Sequence, residues 1–126
     1  MKAVLRGEIR NSVPYFRYRL GSDGTLELSS RHGNEITADT GFTGAIALPE
    51  DALERMAVEF AAVEEFRLAD GQRVQLPIFW GAVHLNGKSF ETWFIPGDPL
   101  VGMEFFEVAG TQLNLDFKTG TICLKR

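Results

Sequence analysis

The stretch "TADTGFTGAIALPEDAL", residues 37–53, decides how the rest of the chain is read. One acidic residue, Asp39, stands between small residues and an apolar run, and a carboxylate is costly to remove from water without partners. It sits either on a surface turn or in a place built for chemistry. Gly41 and Gly44 let the backbone turn tightly beside it, and Thr40 adds a hydroxyl able to bond a neighbouring backbone group. Such a loop would pin a carboxylate with its oxygens open. A plain Asp-Thr-Gly turn accounts for the same residues without chemistry.

Upstream of the loop, "KAVLRGEI", "YFRYRL" and "TLELSS" alternate apolar and polar residues with period two, which predicts strands. In the second, Tyr15, Arg17 and Arg19 face away from Phe16, Tyr18 and Leu20, so the arginines form a solvated stripe. "GSDGT", residues 21–25, is a turn in which Asp-Gly supplies the positive-φ residue. Downstream, "AIAL" is a short apolar strand. Leu53, Met56, Ala57 and Phe60 then recur at helical spacing and predict one amphipathic helix. Pro49 is its first residue, and Glu50 and Asp51 fall where the helix dipole favours negative charge.

From Glu64 the pattern returns to strands, with hairpin turns at Asp70-Gly71 and Asn86-Gly87. "VGMEFFEVAG" predicts a short helix ended by Gly110, and "TQLNLDFKTGTICLKR" a last hairpin turning at Lys118-Thr119-Gly120. The sum is mainly β with one longer and one short C-terminal helix, a small barrel or sandwich. At 126 residues the chain fits one domain, residues 1–126.

Composition narrows the partners. The formal charge of −4, from 17 acidic and 13 basic residues, offers no broad basic footprint, so neither nucleic acid nor an anionic membrane is expected. The single cysteine, Cys123, cannot form an internal disulfide and reads as a packed thiol. No charged start leads into an apolar leader, and no apolar run approaches the roughly 20 residues needed to span a bilayer. A cytoplasmic, soluble protein is expected.

The chemistry these residues can support is narrow. His32 and His84 lie in unrelated contexts with no paired ligand spacing, so no metal and no cofactor are expected. There is no Gly-x-Ser-x-Gly stretch and no phosphate-binding glycine loop, although a Ser/His/Asp grouping stays open. The aromatics of "IFW" and "TWF", including Trp80 and Trp93, read as core or interface. Among the aspartates, Asp70 belongs to a hairpin tip, Asp98 lies between Gly97 and Pro99, and Asp116 lies in an alternating strand. Asp39 alone stands apart.

With those residues in view, "ADTGFTGAIALP" resembles the active-site loop of retropepsin-like aspartic proteases, in particular a small bacterial branch carrying Asp-Thr-Gly-Phe-Thr-Gly. "FRLADGQRVQLPIFWG" sits where that family has its flap hairpin. "PLVGMEFF", with Leu100, Val101 and Gly102, resembles its hydrophobic-hydrophobic-Gly segment and following helix. "TQLNLDFKTGTICLKR" resembles its closing strand pair, so the likeness runs from residue 34 to the end. Phe42 replaces the Ala of many members, and Met103 and Glu104 follow Gly102 where retroviral relatives carry a basic residue.

The resemblance implies a closed acid-protease β-barrel and an aspartic endopeptidase. Asp39, Thr40 and Gly41 would be its catalytic residues; Phe42, Ala69, Asp70 and Gly71 would contact the peptide, the last three from the flap. Phe66 and Leu68 are further pocket residues, each better explained by core packing. Hydrolysis by carboxylates needs two around one water, and this chain has one Asp-Thr-Gly. The second would come from another copy across a two-fold axis, so a homodimer acting on a peptide or protein substrate is implied. A silent dimeric peptide- or protein-binding module of the same fold is the alternative.

Overall fold

A computed structural model describes residues 1–126. Eleven strands and two short helices follow one another in the order β1 (Ala3–Arg10), β2 (Val13–Leu20), β3 (Leu26–Ser29), β4 (Asn34–Ala38), β5 (Ile46–Leu48), α1 (Glu50–Glu54), β6 (Glu59–Arg67), β7 (Arg73–Leu85), β8 (Lys88–Pro96), β9 (Leu100–Val101), α2 (Met103–Ala109), β10 (Gln112–Asp116) and β11 (Thr121–Lys125). The alternation read from the N-terminal third matches three of these strands. No helix is long and apolar enough to cross a membrane.

Seven strands close a ring in the order β2, β3, β7, β8, β5, β9, β4 and back to β2. Closure rests on β2, which lies between two partners: Tyr18 opposes Leu28 of β3 and Phe16 opposes Ile36 of β4. Closing the ring removes sheet edges that would otherwise expose unpaired backbone groups. Outside the ring, β1, β11 and β10 extend the sheet from β2, and β6 pairs only with β7.

Inward positions of the ring are apolar because side chains alternate across a strand. Phe16, Leu26, Ile36, Ile46, Leu48, Val83, Phe94 and Val101 are completely buried. Each such side chain contributes about 1.5–3 kcal/mol relative to exposure. α2 adds Phe105 and Phe106, whose rings meet Phe90 and Phe16 edge-to-face at 5.9 and 6.2 Å.

The predicted amphipathic helix is corrected. α1 ends at Glu54, Pro49 is its N-cap rather than its first residue, and Ala57 and Phe60 are not helical. Met56 does reach the core. The helix stops because the Ala57 N–H donates to Gly24 O at 2.9 Å, which turns the chain out toward β6. Phe60 then opposes Phe79 across the β6–β7 ladder, their rings 6.0 Å apart, so a tertiary pairing overrides the helical spacing. β6 accordingly starts at Glu59, before the strand pattern begins at Glu64.

The turns follow their sequence signals. Gly24, Gly71, Asn86, Gly87 and Gly120 all have positive φ, as the predicted turns require. The β1–β2 hairpin turns on Asn11 and Ser12 at φ of 51° and 66°, a two-residue turn that carries no glycine and has only Asn11 as a signal. The arginine stripe is partly tied down: Arg19 pairs with Glu27 at 2.6 Å and Arg17 with Glu8 at 3.7 Å.

Aspartates fasten several turns. Asp23 accepts from the Thr25 hydroxyl at 2.6 Å and its N–H at 3.1 Å, and Asp116 from the N–H groups of Lys118 and Thr119 at 3.0 and 3.1 Å. These bonds hold both carboxyls below the usual range, the Thr25 hydroxyl being the largest cause for Asp23 and the Thr119 N–H for Asp116. A carboxyl depressed by folding stabilises the fold above its unfolded pKa of about 4, and the effect is lost as pH falls through the lowered folded value. The urea midpoint of Asp116→Asn should lie below that of the wild type at pH 6, and the gap should close as pH drops below about 4.

Candidate active site

Asp39 follows directly on β4, and the loop it opens, residues 39–45, leads into β5. β4 runs parallel to β9, and β5 antiparallel to it, so both ends of the loop are anchored on one two-residue strand. The Asp39 N–H donates to Val101 O at 2.9 Å, and the Gly102 N–H to Ala45 O at 2.8 Å. The first N–H groups of α2 have no partner within their own helix, and the loop supplies them: Met103 N–H donates to Phe42 O at 2.9 Å and Glu104 N–H to Gly44 O at 3.3 Å.

This clasp explains two glycines. A Cβ on Gly102 would lie 2.2 Å from Gly44 O and 2.6 Å from Phe42 O, and one on Gly44 would meet the Phe42 ring at 2.6 Å and the Trp93 ring at 2.9 Å. Only hydrogen fits at either place.

Within the loop, the Gly41 N–H donates to Asp39 Oδ1 at 2.9 Å, which fixes the carboxylate's direction. Oδ2 has no hydrogen-bond partner in the chain. Asp39 is half-buried, Thr40 and Gly41 are exposed, and the Thr40 hydroxyl bonds to nothing in the chain. The structure therefore brings Asp39, Thr40 and Gly41 together at one mouth of the barrel with a free carboxylate oxygen and a free hydroxyl.

Phe42 is half-buried and packs with Phe66, Leu76, Trp93 and Leu100 around a small cluster of Ala47, Ile78 and Ile95. This cluster lies outside the ring and fastens the inner face of the β6–β7 hairpin to the barrel wall beside the Asp39 loop; Phe66 and Trp93 rings are 6.2 Å apart. Phe66 thus packs, as expected, whereas Leu68 is exposed. The hairpin tip is a tight turn, with Leu68 N–H donating to Gln72 O and Gln72 N–H to Asp70 Oδ1. Ala69, Asp70 and Gly71 are exposed, and no hydrogen bond joins them to the Asp39 loop.

A second grouping escapes the sequence because Asp23 lies some sixty positions from His84 and Ser89. Ser89 Oγ and His84 Nδ1 are 2.9 Å apart across the β7–β8 ladder, and His84 Nε2 lies 3.5 Å from Asp23 Oδ2. This line runs over open hairpin surface, with the His84 and Asp23 side chains 40% and 62% exposed, and Asp23 is already engaged by Thr25. No three His, Cys, Asp or Glu side chains gather closely enough to hold a metal ion.

The clasp makes a sharp contrast between glycines. Gly102→Ala should lower stability by about 3 kcal/mol through overpacking against loop backbone, at a φ any residue adopts. Gly71→Ala, at φ +87° in open space, should cost only about 1 kcal/mol of backbone strain. Urea unfolding of the two variants measures both. Comparison of the chain with protein-family models, with curated proteins and with solved structures finds no match to any of them.

Proposed function

We propose that the chain is an aspartic endopeptidase that works as a two-fold homodimer, each subunit supplying one Asp39. The observation that carries this reading is the Asp39 loop itself: a carboxylate oriented by the Gly41 N–H with its second oxygen free, beside a Thr40 hydroxyl without an internal partner. Within one subunit no other carboxylate is joined to the Asp39 loop by a side-chain hydrogen bond or an ion pair; Asp23, Asp70 and Asp116 stand in the turns of their own hairpins. A second copy, related by a two-fold axis, would present the same patch to itself.

In such a pair the two carboxyls are too close to ionise together, so they share one proton. The ionised Asp39 takes a proton from a water as its oxygen attacks the scissile carbonyl carbon. The protonated Asp39 of the other copy gives its proton to the carbonyl oxygen, yielding a neutral tetrahedral diol. Collapse returns one hydroxyl proton to a carboxylate, the C–N bond breaks, and the amine leaves with the proton first taken from water. Thr40 would bond the opposing loop and fix the pair. The β6–β7 hairpin would cover the peptide, with Ala69, Asp70 and Gly71 at its tip, while Phe42 would wall the cleft.

Cleavage of a mixed peptide library by the wild type and by Asp39→Asn, with solution mass recorded, tests the reading. The wild type should run at twice the chain mass and cut, faster on the acid side of neutrality where one carboxyl keeps its proton. Asp39→Asn should remain dimeric and lose about 10³-fold in rate. Cleavage undiminished by Asp39→Asn, or a rate rising steadily through alkaline pH, overturns the mechanism; a folded dimer that binds peptides without cutting them assigns the binding-module role instead.

A further inference from the structure

Next to the Asp39 loop, the outer wall of the barrel carries a groove made of two joined hollows. One, of about 480 Å³, is lined by Ile78, Trp80, Trp93, Glu64 and Glu104; the other, of about 380 Å³, by Trp80, Glu59 and Glu91. Trp80 belongs to both and is 50% exposed, a costly way to place an indole unless something covers it. Ladder register explains the grouping. Trp80 is directly opposite Glu59 on β6 and Trp93 on β8, and Glu91 is diagonal to it.

The charge on this groove has one sign. No Lys, Arg or His lines either hollow, and none of Glu59, Glu64, Glu91 and Glu104 takes part in an ion pair, so their charge is uncompensated. The four carboxylates do not converge as metal ligands do. They surround an aromatic and aliphatic floor, which suits a cation on a long apolar stem: the stem lies on Ile78 and Trp93, and the head stands over the Trp80 face among the carboxylates.

Two further observations fix the kind of molecule. The groove is continuous with the Asp39 loop, since the Trp93 ring abuts Gly44 and Glu104 N–H bonds Gly44 O. And β6, which contributes Glu59 and Glu64, has a partner on one side only, leaving its other edge open to an extended chain.

We propose that this groove seats a lysine or arginine side chain of an extended peptide, so that the substrate class of the Asp39 site is basic peptides. The proposal rests on the endopeptidase reading for the word substrate; its binding part is measured without turnover.

The experiment uses Asp39→Asn protein and a short uncharged host peptide varied at one central position to Lys, Arg, norleucine or Glu, with binding followed by tryptophan fluorescence at low and at physiological salt. The Lys and Arg peptides should bind about tenfold more tightly than the norleucine peptide and more tightly still than the Glu peptide, with the advantage shrinking as salt rises. Trp80→Leu, and separately Glu59→Gln with Glu91→Gln, should erase most of that advantage; all three positions are exposed, so circular dichroism should show an unchanged fold. Equal binding of norleucine and lysine peptides, no binding of any peptide, or a preference unmoved by these variants overturns the proposal. So does tryptophan quenching that follows protein concentration instead of peptide, which would assign the groove to a second copy. Cleavage without basic preference sinks this inference and leaves the endopeptidase; basic binding without Asp39-dependent cleavage does the reverse.

Discussion

The clasp between residues 39–45 and 101–104 is the interaction on which the rest of the structure turns. It joins two segments some sixty positions apart through backbone groups alone, and it satisfies the leading N–H groups of α2 with the loop's own carbonyls. Backbone groups left unpaired there would each cost on the order of 1–3 kcal/mol. A clasp of this kind is rigid for a geometric reason. With Gly102 and Gly44 at van der Waals contact, neither segment can move without the other. The direction of the Asp39 carboxylate is thereby inherited from the barrel, not from a mobile turn.

The barrel in turn supplies the clasp's fixed points. β9 is only two residues long, yet it pairs with β4 on one side and β5 on the other and so carries one link of the seven-strand ring. Such a short strand would have no stability alone. It is held because Val101 is completely buried and because α2, immediately after it, drives Phe105 and Phe106 into the same core. Closure of the ring, packing of α2 and orientation of Asp39 are therefore one cooperative event.

Much of this was legible in the sequence, and the rest was hidden for identifiable reasons. Strands with clean alternation, such as "YFRYRL", and turns marked by Asp-Gly or Asn-Gly declare themselves locally. The helix from Pro49 did not, since Ala57 and Phe60 have helical spacing but are claimed by Gly24 and Phe79, partners 33 and 19 positions away in the chain. The Asn11-Ser12 turn lacked the glycine that usually signals positive φ. The order of strands around the ring depends on parallel pairings of β4 with β9 and β5 with β8, and a parallel pair leaves no mark in either strand alone.

Asp39 itself is the most instructive case, because its local geometry is common in this chain. Asp23, Asp70 and Asp116 accept from the N–H two residues on, just as Asp39 does from Gly41. Composition and turn chemistry thus do not distinguish Asp39 from these fastening aspartates. What sets Asp39 apart is its place. Asp23 and Asp116 each take a second donor on the same oxygen, whereas Asp39, like Asp70, takes one. The others stand at the ends of local hairpins, whereas the Asp39 loop is tied through its carbonyls to a segment some sixty positions away. A carboxylate on a backbone held this way keeps one direction, which is what the proposed endopeptidase reading asks of Asp39.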